Sequence, residues 1–195
     1  MQQLDNGYFI YLCAQIHPIM KRMLLTARYC LLAIIAVVFM ASCAASKKSS
    51  SQHVYMNKQY EELKNVLNEA EVSIIKDSLK VIFPNNVLFA TASDQVNESV
   101  KPTFALFADV LNKYSKTKIL ITGHTDNTGA ATYNRDLSER RAAGAKQLLN
   151  SFNVSNDRMF TWGLSDRDPV ATNGTEAGKA KNRRVEFVIL YDVKD

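Results

Sequence analysis

Between Tyr55 and Ala70 the apolar positions Tyr60, Leu63, Val66, Leu67 and Ala70 recur at three- and four-residue intervals, the spacing that gathers side chains on one face of an α-helix. The next stretch, VSIIKDSLKVIF, holds two β-rich runs around Lys76-Asp77-Ser78 and predicts a hairpin. Pro84-Asn85-Asn86 then turns the chain into a short apolar strand, Val87-Leu88-Phe89. Ser93 or Asp94 is placed to cap a helix running through Phe104, Phe107, Ala108 and Leu111; Pro102 forces either a start near Lys101 or a kink. Lys118 to Gly123 reads as a buried strand, and a loop from His124 to Ala130 leads into the most regular helix pattern, Thr132 to Asn150. Met159 to Gly163 is a further short strand and Leu164 to Lys181 a polar loop. In a last strand, Arg184 to Tyr191, the residues Val185, Phe187, Ile189 and Tyr191 alternate with Glu186, Val188 and Leu190. Strands and helices alternating in this order predict an α/β fold, a two-layer sandwich with helices on one face of a mixed sheet.

Upstream the pattern changes. From Met20, the basic residues Lys21, Arg22 and Arg28 precede an apolar run, Cys30 to Ala41, that is shorter than the roughly 20 residues a bilayer-spanning helix needs. Basic start, apolar middle and small-residue finish describe a secretory signal peptide. Ala41-Ser42-Cys43 resembles a lipobox, in which the cysteine is lipidated and becomes the first residue. The expected organisation is a leader over 1–42 with Met20 as the better start, lipidated Cys43 and a flexible tether over 43–54, a helix and hairpin over 55–83, and a folded domain over 81–195. An uncleaved signal anchor is the competing reading of the same run.

Composition narrows the function. Hydrophobic content of 47% and charge of 22% are ordinary for a globular chain. The net charge of +5 falls to +3 without the leader, which holds three of the 24 basic and one of the 19 acidic residues. With no long Lys/Arg run, nucleic acid is not an expected partner. The cysteines are Cys13, Cys30 and Cys43, so the domain holds no disulfide framework and no thiol metal site. His17, His53 and His124 are scattered, and no zinc site or other cofactor is expected.

The helix Thr132–Asn150 carries the most informative residue. With Leu137 at zero and about 100° per residue, Leu148 falls near 20°, Arg141 near 40° and Ala145 near 80°. Arg141 thus lies in the middle of the apolar arc, where a guanidinium is costly unless it reaches an anion or a wet cleft. Asp126, in the preceding loop GHTDNTG, is the nearest candidate partner, and such loops sit where open α/β sheets place binding crevices. Thr125, Asn127 and Thr128 add polar groups, and Gly123 and Gly129 allow backbone to approach a ligand. A carboxylate and a guanidinium in one cleft suit a ligand bearing both an ammonium and a carboxylate.

The stretch TGHTDNTGAATYNRDLSERRAAGAKQLL, with Asn134-x-x-Leu137-Ser138-x-x-Arg141-Ala142 inside it and Asn182-Arg183-Arg184-Val185-Glu186 further on, resembles the OmpA-like C-terminal domain family, peptidoglycan-associated lipoproteins included. The resemblance runs from about Val81 to Leu190. It implies non-covalent peptidoglycan binding, with Asp126 and Arg141 holding the diaminopimelate of the stem peptide, Asn134 and Thr128 in support, and Arg183 or Arg184 completing the rim. Family members often carry Asp just before the Val87-Leu88-Phe89 strand; Asn86 stands there in this chain and brings no charge. The implied protein is no enzyme. It is a lipid-anchored outer-membrane component facing the periplasm, with peptidoglycan and envelope proteins as partners.

Rival readings remain. Asp126 and Arg141 could form only a structural ion pair in an envelope protein-interaction module. A hydrolase would need paired carboxylates, a metal centre or a Cys/His pair, and no second acid pairs with Asp126 along the chain. Trp162, Phe104 and Phe107 read as core rather than as carbohydrate platforms.

Overall fold

A computed structural model of the chain describes residues 51–90 and 93–192. The leader and Cys43 lie outside the described residues. Helix α1 covers 51–66, so residues 51–54 of the expected tether are helical, and the helix stops short of Ala70. Its apolar stripe, with Met56 and Leu63, joins the core, as does Leu67 just beyond its end. Strands β1 (Glu71–Ile75) and β2 (Ser78–Pro84) form the expected hairpin. Ile75 pairs with Ser78 across a two-residue turn in which Lys76 takes a φ of 55°, the positive backbone angle that tight hairpin turns require at their first central position. The Ser78 hydroxyl closes the turn by donating to the Ile75 carbonyl at 2.8 Å.

Val87 and Leu88 are not in a strand. Asn85–Leu88 forms a one-turn helix, α2, and Phe89 makes only an isolated bridge to Val96. The side chain of Asn97 accounts for this, because its Nδ2 donates to the carbonyls of Asn86 and Val87 that a strand neighbour would otherwise take. After a 3₁₀ turn at Glu98–Val100, helix α3 (Lys101–Lys113) begins where Pro102 allows it, with neither Ser93 nor Asp94 as its cap. Strand β3 (Thr117–His124), helix α4 (Ala131–Ser151), strand β4 (Met159–Ser165) and strand β5 (Arg184–Tyr191) follow. The expected polar loop before β5 contains helix α5 (Glu176–Asn182), capped by the Thr175 hydroxyl. Seven residues of EAGKAKN carry too little apolar period to announce a helix.

The sheet is mixed, in the order β1-β2-β5-β3-β4, with β3 and β4 parallel and the other pairs antiparallel. One face is dry. Leu79, Val81 and Phe83 of β2, Val185, Phe187 and Ile189 of β5, and Ile119 and Ile121 of β3 meet Phe104 and Phe107 of α3 and Ala142, Ala145 and Leu149 of α4. Phe107 and Phe187 stand edge to face at 5.2 Å, a geometry that adds about 1 kcal/mol to burial alone. Phe104 and Phe107 are core as expected, but Trp162 is not. It is 58% exposed on the opposite face of β4.

That opposite face also breaks the expected alternation of β5, because Glu186 is buried there with Arg184. Arg184 Nε donates to Glu186 Oε1 at 2.7 Å, and Lys80 Nζ lies 2.8 Å from Oε2. The carboxylate is thus paired twice, which is what makes its burial tolerable.

Candidate functional site

Three chain crossings at one end of the sheet build the site. Pro84 of β2, Arg184 of β5 and His124 of β3 stand in one paired row. The residues next beyond that row are Asn85, Arg183 and Thr125, and the Asn85 N–H donates to the Arg183 carbonyl at 2.9 Å. Helix α4 runs over this edge and supplies Asn134, Leu137 and Arg141. Two contacts fix its height. A Cβ on Gly123 would stand 2.1 Å from the Ser138 carbonyl oxygen, and one on Gly163 would stand 2.7 Å from Ser138 Oγ. Gly123 therefore serves helix packing rather than approach to a ligand, whereas Gly129 takes a φ of 95° in open space.

The result is a cavity of about 740 Å³ whose wall includes Asn86, Phe89, Asp126, Thr128, Asn134, Arg141 and Arg183. Arg141 is 3% exposed, as its place on the helix wheel required. Its partner is not Asp126. Nε and one terminal nitrogen donate to the Ser93 carbonyl at 3.1 and 3.0 Å, and the guanidinium carbon lies 5.6 Å from the Phe89 ring centre. Among the described residues no carboxylate lies within ion-pair distance of it. Burial lowers its pKa, the sign of a cation short of compensation.

Asp126 is held by Arg183 instead, whose NH1 donates to Oδ2, while the Thr128 N–H donates to Oδ1 at 2.9 Å. Burial alone would raise its pKa, but these hydrogen bonds outweigh it and hold the carboxyl below its usual 3.8. Asn134 is a brace for the same loop, its Nδ2 donating to the carbonyls of Asp126 at 3.3 Å and Thr128 at 3.0 Å. Two guanidiniums against one carboxylate leave the cavity with one uncompensated positive charge, which favours an anionic group in a guest.

Of the two candidate rim arginines, only Arg183 is at the cavity. Arg184 points through the strand to the buried cluster on the other face, where its NH2 also donates to the Asp168 carbonyl. Sequence reasoning noted Thr125 but passed over Asn85, Phe89 and the Ser93 carbonyl as site groups. Asn85 Oδ1 and Thr125 Oγ1 are buried without a protein partner beside Arg183. No local pattern marks such residues, because chain crossings far apart in sequence bring them together.

His124 is drawn next to Asp168 and Glu186, with ligand atoms within 4.8 Å of one another, a grouping the sequence did not suggest. Lys80 and Arg184 already occupy Glu186, and Arg184 lies 3.7 Å from Asp168, so a metal ion would have to displace two cations. Burial, helped by Arg184, pushes the His124 pKa down to about 4.

Fold and cavity together define a sheet-and-helix domain with a binding cleft at one end of the sheet. The OmpA family model matches residues 88–183. The chain is 35% identical over 137 residues to the "Probable lipoprotein YiaD" of Escherichia coli (strain K12), covering 69% of this chain and 63% of that protein. It is 35% identical over 112 residues to the outer-membrane lipoprotein YfiB of Pseudomonas aeruginosa, 57% of this chain and 63% of that one. Among solved structures, the cell wall anchor of the T6SS from Pseudomonas aeruginosa superposes with a TM-score of 0.61 at 33% identity, covering 70% of this chain and 97% of that chain. The chain belongs to the OmpA family. It spans slightly under two thirds of the length of either lipoprotein relative.

Proposed function

We propose that this domain binds peptidoglycan non-covalently, taking the free end of a diaminopimelate side chain of the stem peptide into the cavity. Arg141 receives the carboxylate through the guanidinium edge that Ser93 leaves free, and Asp126 receives the ammonium, sharing its charge with Arg183. Asn134 and Thr128 hold the Asp126 loop in shape, and Asn86 offers a neutral hydrogen-bonding group at the mouth. The observation that carries this reading is the buried cation of Arg141, which has no carboxylate partner among the described residues. A guest carboxylate supplies the bidentate partner that such a guanidinium lacks.

The whole protein is proposed to be held in the outer membrane by lipid on Cys43, with the domain facing the periplasm, so that it ties membrane to wall by equilibrium binding with no chemical turnover. The lipoprotein names of two relatives and the cell wall anchor title of a third support that placement. The rival account, an envelope protein-interaction module with Asp126 and Arg141 merely paired to each other, loses its premise because Asp126 is paired with Arg183.

Co-sedimentation with purified sacculi tests the reading. Arg141→Ala is expected to abolish retention, and Arg141→Lys to weaken it strongly, because an ammonium lacks the fork. Free diaminopimelate is expected to compete with the parent protein. Retention of Arg141→Ala at the parental level, with a cooperative melt, would overturn the assignment.

A further inference from the structure

Arg141 is the cation of the cavity, and the residue before it on α4 is a second arginine with a partner of its own. Arg140 Nε donates to Asp94 Oδ2 at 2.6 Å, while Arg141 donates twice to the carbonyl of Ser93. Two consecutive arginines thus hold two consecutive residues of the segment between the bridged residues Phe89 and Val96. The segment lies against α4 at Gly144, where an added Cβ would stand 3.6 Å from both the Asp94 carbonyl oxygen and the Phe89 ring. Neither Ser93 nor Asp94 caps α3, so capping does not account for them.

The division of partners is informative. A neutral carbonyl takes the Nε hydrogen and one terminal N–H of Arg141, orienting the guanidinium without cancelling its charge. Asp94 carries the one carboxylate of the sequence from Phe89 to Val96, and it is turned to Arg140 instead. The pKa of Asp94 is lowered first by the Arg140 hydrogen bond, and the charge of Arg141 adds to this in smaller measure. Because Ser93 is bonded to Arg141, the side chain that follows it is tethered beside the same guanidinium. The side chains of Arg140 and Asp94 are 50% and 37% exposed, so their pair adds little to stability. Its effect lies in where it directs the acid.

We propose that Arg140 is a positioning residue that keeps the Asp94 carboxylate off Arg141, leaving the cavity's cation open to a guest carboxylate. Without Arg140, Asp94 turns to Arg141 and becomes a competitor covalently tied to the site. Tethering gives such a competitor a high effective concentration. Arg141 is buried with no carboxylate partner among the described residues, so it has reason to accept one. The inference rests on reading Arg141 as the group that receives the guest's carboxylate. The competing account is a plain brace, in which loss of either Asp94 or Arg140 loosens the segment alike.

The test titrates the full chain, in mild detergent, with a soluble stem tetrapeptide containing diaminopimelate, read by calorimetry. Arg140→Ala is expected to bind about tenfold more weakly, the factor that follows when a competing contact leaves roughly one tenth of the molecules competent. Asp94→Asn is expected to bind within about twofold of the parent, since the pair it removes is a half-exposed one. The double variant, Asp94→Asn with Arg140→Ala, is expected to return to that level, because a neutral amide does not compete for a guanidinium. If both single variants weaken alike and the double variant stays weak, the pair is a brace and the proposal is overturned. Parental affinity in Arg140→Ala overturns it too. Arg141→Ala is the control. Lost binding there, with parental binding in Arg140→Ala, overturns this inference alone; parental binding in Arg141→Ala overturns the cavity assignment as well.

Discussion

Arg183 grips Asp126 across the end of the sheet, NH1 to Oδ2, joining the residue before β5 to the loop after β3. The contact fixes the acid that the cavity presents and divides its charge before any guest arrives. Arg183 is the more exposed partner, at 38% of its side chain against 10% for Asp126. A guest ammonium can therefore move the guanidinium aside toward solvent while the carboxylate stays in place.

The first prediction concerns pH. Asp126 has a folded-state pKa below its usual 3.8, with the Arg183 and Thr128 hydrogen bonds outweighing burial. A depressed acid contributes stability that is present above its unfolded pKa and is lost as pH falls through the folded value. Retention on sacculi, to the extent that it depends on this anion, should persist down to about pH 4 and fail only below it. Arg183→Ala removes the strongest pKa-lowering contact, so the acid limb should move to higher pH, which an NMR titration of the Asp126 carboxyl would follow. An acid limb in Arg183→Ala identical to that of the parent would exclude the coupling.

The two adjacent arginines should part company on mutation. Arg183 is a partly exposed cavity residue, and Arg183→Ala is expected to cost only about 1 kcal/mol of stability while weakening wall binding. Arg184 is 2% exposed and bound to Glu186. Arg184→Ala strands a buried carboxylate with Lys80 as its remaining cation, and should cost about 3–5 kcal/mol. Urea melts combined with co-sedimentation distinguish the two, since the expected order of the variants reverses between the assays.

Helix-wheel geometry alone placed Arg141 on the buried side, because a twenty-one-residue helix imposes its period on every position. The β1–β2 turn was equally legible; Pro102 narrowed α3 to a start near Lys101 or a kink, and the first of these holds, but Ser93 and Asp94 do not cap it. Asp126 and Arg141 were correctly brought to one cavity, but their pairing was not, since Arg183 reaches Asp126 from a residue 57 positions away. Asn97 bending residues 85–88 into a helical turn, and Glu186 drawn inside by Lys80 and Arg184, are likewise long-range effects that override local pattern. Trp162 was misread for a different reason. An edge strand alternates as a buried strand does, and only the sheet order reveals that one of its faces is bare.

Gly123→Ala should uncouple helix from sheet. A methyl at Gly123 would sit 2.1 Å from the Ser138 carbonyl oxygen, a backbone atom that cannot rotate away. Overpacking of this kind costs about 3 kcal/mol. The displacement also acts on function, because Gly123 lies three residues before Asp126 and Ser138 three before Arg141. The expected variant is one whose loss of wall binding, measured below its melting temperature, exceeds what its unfolded fraction explains.

His124 gives the last prediction. It is buried, its Nε2 lies 3.2 Å from Thr122 Oγ1, and Nδ1 has no protein partner. Burial and the nearby Arg184 push its pKa down to about 4, from an ordinary 6.5. In the unfolded chain the imidazole takes a proton as pH falls through 6.5, whereas in the folded domain it resists until about 4. Stability should be complete above the upper value and decline between the two, by about 3 kcal/mol at most. This loss precedes the acid limb of Asp126, so the domain should soften over a range in which its cavity still holds the correct charge. Urea melts across pH 4–7 would resolve the slope, and His124→Gln, which does not titrate, should flatten it. A parent slope retained in His124→Gln would assign the softening to other groups.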